Sequence, residues 1–201
     1  MMVTLDTNIE ANSCGTSLLM LKPDTVLFEA GDRGGLWRVQ SGMLRLDRPS
    51  SEGPILAMLA LAGDWLGVDT LCGQPHPWRA TAVTAVTLRR CEPAVDAQRQ
   101  QWIIEALLQQ PERCHDLARL RTGPVAARLT ALLRLLGAWP KPALGAVAPM
   151  DTSALPPLRV MANLIDAKTE TVCRVLGRLL PGRGRPKGLL VPPHEWSLRT
   201  A

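Results

Sequence analysis

Histidine and cysteine are scarce and scattered in this sequence, which counts against most metal sites. The three histidines, His76, His115 and His194, lie in different segments, whereas a cupin-type enzyme needs two or three brought together by strand spacing. The five cysteines form no CxxC pair and no Cys/His cluster at zinc spacing. A P-loop, a Ser/His/Asp order and a paired-carboxylate motif are also missing. We therefore expect neither enzyme activity nor a bound metal or cofactor.

Long hydrophobic runs are missing as well. The run from Ile55 to Ala62 spans eight residues, too few to cross a bilayer. Residues 1–22 carry Asp6 and Glu10 and lack the basic start and unbroken apolar stretch of a signal peptide. Export and membrane insertion are therefore not expected, and an odd number of scattered cysteines fits a reducing cytoplasm.

The sequence does contain enough apolar residues for a core, and a modest excess of positive charge. Of its 201 residues, 46% are hydrophobic, which suffices for one large domain or two small ones. The net charge of +5 and the sequence pI near 9.3 suit a polyanionic partner such as nucleic acid without requiring one.

From Pro23 to about Cys91 the sequence predicts short strands. Turn signals such as Gly31-Asp32, Gly34-Gly35 and Ser41-Gly42 separate them. Strands interrupted at this rate are typical of an antiparallel sandwich or barrel. The predicted strand segments are VLFEAGD, LWRVQSG, MLRLDR, ILAMLALAGDW and ATAVTAVTLRRC.

A helical pattern replaces the strands near Pro93. Apolar residues recur on one face from Trp102 onward, and Pro111 either begins a second helix or kinks one long helix. Residues at roughly seven-residue spacing could form the seam of a parallel dimer, or the stripe could lie on the sandwich. The seam residues are Ile103, Leu107, Cys114 and Leu117.

Two short helical patterns near the C-terminus carry the clearest chemistry. They follow an apolar helix, Val125 to Trp139, and a proline-rich linker at residues 140–157. Each pattern, Leu158 to Ile165 and Val172 to Leu179, has apolar residues at i, i+3, i+4 and i+7. The Asp166-Ala167-Lys168 turn between them needs a left-handed residue, a conformation that Asp tolerates. This arrangement predicts a helix-turn-helix.

The polar face of the second helix is suited to reading DNA. Near the helix N-terminus, Glu170 can accept from a cytosine amino group and Arg174 can donate twice to guanine. The predicted base-reading residues are Thr169, Glu170, Cys173 and Arg174. Alternatively, Glu170 and Arg174 form only an exposed salt bridge one turn apart. The predicted phosphate contacts are Arg159, Lys168, Thr171, Arg178 and Lys187, and residues 182–192 read as the turn and strand of a wing.

The segment KTETVCRVLGRL resembles the recognition helix of the CRP/FNR (catabolite activator and fumarate-nitrate regulator) family. The usual sequence of that helix in the family is close to (T/S)RETVSRxLxxL. The segments VLFEAGD, LWRVQSGMLRL and GDWLGVD look like strands of the family's cyclic-nucleotide-binding-like jelly roll. The resemblance implies an α+β chain with three parts. These are a β jelly-roll sensor domain (residues 1–93), a helical connector with the dimerisation helix (94–122) and a winged helix-turn-helix DNA-binding domain (123–201).

By that resemblance, the chain is a homodimeric transcription regulator that binds an inverted-repeat operator in double-stranded DNA and contacts RNA polymerase. Cys173 and Thr169 stand where the family usually has serine and arginine, so the outer bases of each half-site do not follow from it. Asp166 replaces the usual turn glycine, and Pro156-Pro157 replace the usual cap of the first helix.

The same resemblance argues against cyclic AMP as the effector. The family's ribose-binding glutamate would fall near Gly63-Asp64, and its phosphate-binding Arg-Ser pair at His76-Pro77. Arg79 could hold a carboxylate or phosphate in a shifted pocket, or it could be solvated. We predict an effector of unknown identity in a pocket that includes Gly63, Asp64, His76 and Arg79. An iron-sulfur cluster is not expected with Cys14 as the one N-terminal cysteine.

A rival interpretation is a regulatory module whose helical half contacts a partner protein rather than DNA. That function predicts a hydrophobic strip on the exposed face of the second helix. The sequence instead has Thr169, Glu170, Arg174 and Arg178 there.

Overall fold

The computed structural model describes residues 11–12, 16–139 and 155–179. Its strands form two sheets in which every pair of neighbours is antiparallel. The sheet orders are β1-β2-β9-β4-β7 and β3-β8-β5-β6. The strands are β1 (Ala11–Asn12), β2 (Thr16–Leu21), β3 (Val26–Phe28), β4 (Leu36–Ser41), β5 (Met43–Arg48), β6 (Ile55–Leu61), β7 (Trp65–Leu66), β8 (Arg79–Ala82) and β9 (Val86–Cys91). The predicted antiparallel β-rich half is confirmed.

The core of the sandwich is made by apolar side chains from both sheets. Leu44 of β5 and Leu88 of β9 are fully buried, and Val39 of β4 is nearly so. They belong to one cluster with residues from β2, β3, β6 and β8. Burying such side chains removes apolar surface from water, which is the main stabilising contribution to a fold of this kind.

The last predicted strand segment, ATAVTAVTLRRC, is wrong as a single strand, because β8 and β9 lie in different sheets. The chain turns between them, where the Val83 amide donates to the Met43 carbonyl at 2.8 Å. The Thr84 hydroxyl accepts from the Met43 amide at 3.0 Å. Gly42 lies against the same turn. It has a φ of 86°, and a Cβ at this position would collide with the Ala85 carbonyl.

Four helices follow or flank the sandwich in the described residues. They are α1 (Asp96–Arg121), α2 (Val125–Leu135), α3 (Leu158–Leu164) and α4 (Thr169–Leu179), with a short 3-10 helix at Val68–Cys72. Pro111 lies inside α1, which continues through it as one helix of 26 residues. The question that the sequence left open is therefore settled in favour of a single helix.

A second apolar core joins the helices to the sandwich. Leu120 of α1, Leu129 of α2, Leu164 of α3 and Val172 of α4 are all fully buried, and they share one cluster with Leu59 of β6. Polar contacts reinforce this packing: the Arg45 guanidinium donates to the Asn163 side-chain oxygen at 2.8 Å. Helix α3 therefore lies against the β5–β6 side of the sandwich, and α4 packs on α2 and α3.

Parts of two predictions lie outside the described residues. These are most of the proline-rich linker, at 140–154, and the wing. The boundaries proposed for the three parts of the chain stay predictions.

Candidate nucleic-acid interface and effector cavity

Helix α4 separates its residues into a buried and an exposed face. Val172 is fully buried, and Val175, Leu176 and Leu179 pack partly buried against the same core. The opposite face is exposed and consists of Thr169, Glu170, Cys173, Arg174, Gly177 and Arg178. Within the described part of the chain, Glu170 and Arg174 form no ion pair. All four predicted base-reading residues are therefore accessible, and the alternative that the sequence left open, a salt bridge between Glu170 and Arg174, is not seen among the described residues.

The turn between α3 and α4 has the geometry that the sequence indicated. Asp166 has a φ of 49°, so the left-handed residue of the turn is confirmed. The Arg128 guanidinium of α2 donates to the Ile165 carbonyl at 2.6 Å and to the Asp166 carbonyl at 2.9 Å. The sequence analysis missed Arg128, because an arginine in a largely apolar helix, which also carries Arg134, gives no sign of its partner.

The predicted phosphate contacts occupy different settings. Lys168 and Arg178 are exposed beside the polar face of α4, whereas Thr171 is half-buried. Arg159 is exposed and forms a 3.8 Å ion pair with Asp24. Lys187 lies outside the described residues.

A ladder of polar side chains docks α1 on the sandwich. Gln109 donates to the Gly63 carbonyl at 3.0 Å and accepts from the Trp65 amide at 3.3 Å. One turn earlier, the Glu105 carboxylate accepts from the Trp65 indole at 3.0 Å. One turn later, Arg113 pairs with Asp64 at 2.8 Å. A four-residue spacing places these three α1 side chains on one helical face.

The ladder was also missed by the sequence analysis, which followed the apolar stripe of α1. A signal for the ladder is nevertheless present in the sequence, because polar residues recur at every fourth position of α1: Gln101, Glu105, Gln109 and Arg113. The indole hydrogen bond is the main cause of a lowered pKa for Glu105. A lowered pKa keeps this carboxylate charged and so keeps it a good acceptor.

A cavity of about 390 Å³ lies between the sandwich and α1. Its wall includes aromatic residues from the sandwich and apolar residues from the helix, and Leu59 belongs both to this wall and to the core beneath α3 and α4. The aromatic and charged side chains of the lining include Phe28, Trp65, Trp78, Asp64, Asp69 and Arg113.

Of the four residues predicted for an effector pocket, only Asp64 lines this cavity. Gly63 contributes its carbonyl to the docking of α1. Arg79 lies at the start of β8 and pairs with Glu29 at 3.5 Å, with both side chains about half exposed. The Arg79 side chain is open to water and does not line the cavity, which fits the solvated alternative.

His76 is buried as a packing residue rather than as a ligand-binding one. It is 1% exposed and stacks on Phe28 with ring centroids 3.9 Å apart. A Cβ at Gly34 or Gly67 would lie only 2.8 Å from its ring, so two glycines are needed to admit the imidazole. Neither ring nitrogen has a hydrogen-bond partner among the described residues. Burial lowers the pKa of His76, which keeps the ring uncharged.

The exposed apolar face of α1 differs from the predicted dimer seam. Ile103 is half-buried and lines the cavity, and Leu117 packs against the core. Leu107 is 56% exposed and Cys114 is exposed. Ile104 and Leu108, which the prediction left out, are 56% and 75% exposed. The exposed apolar stripe of α1, made by Ile104, Leu107 and Leu108 and called the free stripe below, is shifted by about one residue from the predicted seam. The reason is that the polar ladder fixes which side of α1 faces the sandwich.

The described residues include no group of three or more metal-ligating side chains. Among the helices that the structure describes, none is long and apolar enough to span a membrane.

Parts of the chain match a known domain family and a known transcriptional regulator. The cyclic nucleotide-binding domain family matches residues 18–94. The transcriptional regulator LdrP of Thermus thermophilus is 26% identical over 122 residues, which cover 59% of this chain and 63% of that protein. The match thus spans somewhat less than two thirds of the curated relative.

Two solved structures show the same fold over most of the chain. A CRP-family transcriptional regulator from Thermus thermophilus has a TM-score of 0.61 and 24% identity, covering 80% of this chain and 83% of its own. FixK2 from Bradyrhizobium japonicum has a TM-score of 0.57 and 16% identity, covering 83% and 85%. The resemblance predicted from the sequence is confirmed.

Proposed function

We propose that the chain is a sequence-specific DNA-binding transcription regulator. Its residues 18–94 match the cyclic nucleotide-binding domain family, and the chain is similar in fold to regulators of the CRP/FNR family. The observation that carries the proposal is the exposed polar face of α4, which is backed by a buried valine and half-buried aliphatic residues. A helix of this kind fits the major groove with its N-terminal residues toward the bases.

The residues of α4 divide by the contacts that they can make. Arg174 presents two parallel donors to guanine, and Glu170 accepts from cytosine. Thr169 and Cys173 flank them on the exposed face. Around this strip, the predicted phosphate contacts would set the position of the helix without reading sequence. The set is Arg159, Lys168, Thr171, Arg178 and Lys187.

The proposed regulator acts as a homodimer through α1. Ile104, Leu107 and Leu108 expose apolar side chains on a long helix, and burying them against a second copy would remove that surface from water. Two copies related by a twofold axis would read an inverted repeat. Contact with RNA polymerase, a cytoplasmic location and regulation by a small molecule other than cyclic AMP complete the proposal.

Placing charge on the free stripe of α1 should produce monomers. We expect Ile104→Glu combined with Leu108→Glu to halve the particle mass measured by light scattering, because two carboxylates would then be buried without partners. Arg99→Glu, at an exposed position of the same helix, is the control and should leave the mass unchanged. A double variant that still has the mass of the wild-type dimer would remove α1 from the interface.

The rival function, a module that binds a partner protein through its helical half, is distinguished by a salt titration. For a regulator making about six to ten phosphate contacts, affinity for duplex DNA should fall by about 10³ to 10⁵ between about 50 and 200 mM salt. Fluorescence anisotropy on a labelled duplex measures this. A protein that shows no DNA binding at low salt, or binding that does not respond to salt, contradicts the proposal.

A further inference from the structure

The cavity between the sandwich and α1 is built for a small organic molecule. Its volume of about 390 Å³ falls in the range of known ligand pockets. Phe28, Trp65 and Trp78 contribute aromatic surface, and Met58 and Leu66 add apolar surface. A ligand that fills this space must therefore present an apolar or aromatic body to most of the wall.

Among the described residues that line the cavity, Arg113 is the one arginine or lysine, and neighbouring carboxylates already neutralise its charge. Arg113 pairs with Asp64 at 2.8 Å, with Asp116, and with Glu112 at 3.8 Å. Both Arg113 and Asp64 side chains are nearly buried, at 12% and 7% exposed. Moving Arg113 to an incoming anion would leave Asp64 as an unpaired buried carboxylate, which is strongly unfavourable.

A second carboxylate lines the cavity without a cationic partner. Asp69 lies in the short 3-10 helix and is half-buried. Within the described residues it forms no ion pair. With Asp64 balanced by Arg113, the lining carries one uncompensated negative charge. The formal charges of these lining side chains therefore disfavour an anion such as a cyclic phosphate or a keto acid.

From these observations we infer that the cavity binds an organic cation, namely an ammonium group on an aromatic or aliphatic body. Asp69 supplies the opposite charge, and Trp78, whose ring makes no aromatic or cationic contact among the described residues, can attract such a cation. Phe28 stacks on His76, and Trp65 already contacts the Arg38 guanidinium at 4.5 Å and the Trp102 ring at 4.8 Å, so these two side chains contribute mainly apolar surface. The inference rests on the proposed function only in naming this cation as the effector that alters DNA affinity.

Calorimetry with three probes that share one ring tests the inference without DNA. The probes are tryptamine (a cation), indole-3-ethanol (neutral) and indole-3-acetate (an anion), each titrated into the full chain. We expect the order cation, neutral, anion, with at least about tenfold between the first and the last, which corresponds to about 1.4 kcal/mol. Equal or tighter binding of indole-3-acetate overturns the inference, and so does the absence of tryptamine binding at about 1 mM.

Two variants locate the binding. Asp69→Asn should remove the preference for tryptamine over indole-3-ethanol, whereas Glu52→Gln, which removes an exposed carboxylate outside the lining, should not. Ala106→Phe fills the cavity from α1 and should abolish binding of both probes, whereas Ala97→Phe, exposed on the same helix, should not. Binding that survives Ala106→Phe in a folded protein contradicts the assignment to this cavity.

Failure of this inference can be separated from failure of the proposed function. If tryptamine binds but duplex DNA does not, the cavity is assigned correctly and the regulator proposal is wrong. If DNA binds with the expected salt dependence but tryptamine does not, the regulator stands and the ligand class is wrong. If both bind, DNA affinity measured with saturating tryptamine should differ at least about threefold from that without it, or the cation is not the effector.

Discussion

We expect Arg174→Ala to lower the sequence discrimination of the proposed regulator while leaving its binding to random DNA nearly unchanged. The Arg174 side chain is exposed on α4, and the bidentate contact with guanine that we propose for it would be worth about 1–3 kcal/mol of discrimination. We therefore expect the ratio of operator to random-duplex affinity to fall by about five- to 150-fold. Competition anisotropy at one fixed salt concentration gives this ratio.

The control for Arg174 is an exposed arginine that lies outside α4. Arg99 is exposed near the start of α1, so Arg99→Ala removes the same charge and should leave the ratio as in the wild type. An Arg174→Ala protein with the wild-type ratio would show that this side chain does not read bases. Equal weakening on operator and random DNA would reassign it to the phosphates.

Arg113→Met should destabilise the protein by about 3–5 kcal/mol, the usual cost of leaving one partner of a buried ion pair alone. The substitution keeps the aliphatic bulk of the side chain but leaves the buried Asp64 carboxylate without its cation. It also removes the contact of Arg113 with Asp116. Urea unfolding at one fixed protein concentration measures the loss, because a dimer's stability depends on concentration. Arg119→Met, exposed on the same helix, should cost little.

The loss from Arg113→Met should shrink as the pH falls. Burial already raises the pKa of Asp64, while the Leu61 amide and Arg113 oppose that rise; without Arg113 the pKa rises further. An acid with a raised pKa in the folded state binds more protons folded than unfolded, so its contribution to stability worsens as the pH rises through that window. The variant should therefore lose less stability near about pH 5 than near about pH 8. An equal loss at both values would show that Asp64 is not the stranded group.

The C-terminal helix pair was the part of the molecule most readily predicted from the sequence. Apolar residues at i, i+3, i+4 and i+7 fixed which face of α4 is buried, and Val172 is indeed fully buried. The residues of α4 outside the buried face were therefore predicted to form the exposed strip. The three-residue turn before α4 required one residue in the left-handed conformation, and that residue is Asp166. Local periodicity carries this information because each short helix contributes one face to a core.

The surroundings of α1 could not be predicted in the same way. The apolar stripe suggested Ile103 and Leu117 for a dimer, but the long-range hydrogen bonds of Gln109 and Glu105 to the sandwich rotate them toward the cavity and the core. Contacts of this kind join residues 40 and 44 positions apart, and no local pattern records them. The burial of His76 between two glycines escaped prediction for the same reason.

The proposed function requires two copies of α4 to read the two halves of one DNA site. Selection of bound duplexes from a random pool, followed by sequencing, tests it most directly. We expect an enriched inverted repeat whose half-sites are centred about one helical turn, 34–36 Å, apart, with a guanine position whose enrichment is lost in Arg174→Ala. A pool that shows no enrichment, or an enriched motif without twofold symmetry, would contradict the account.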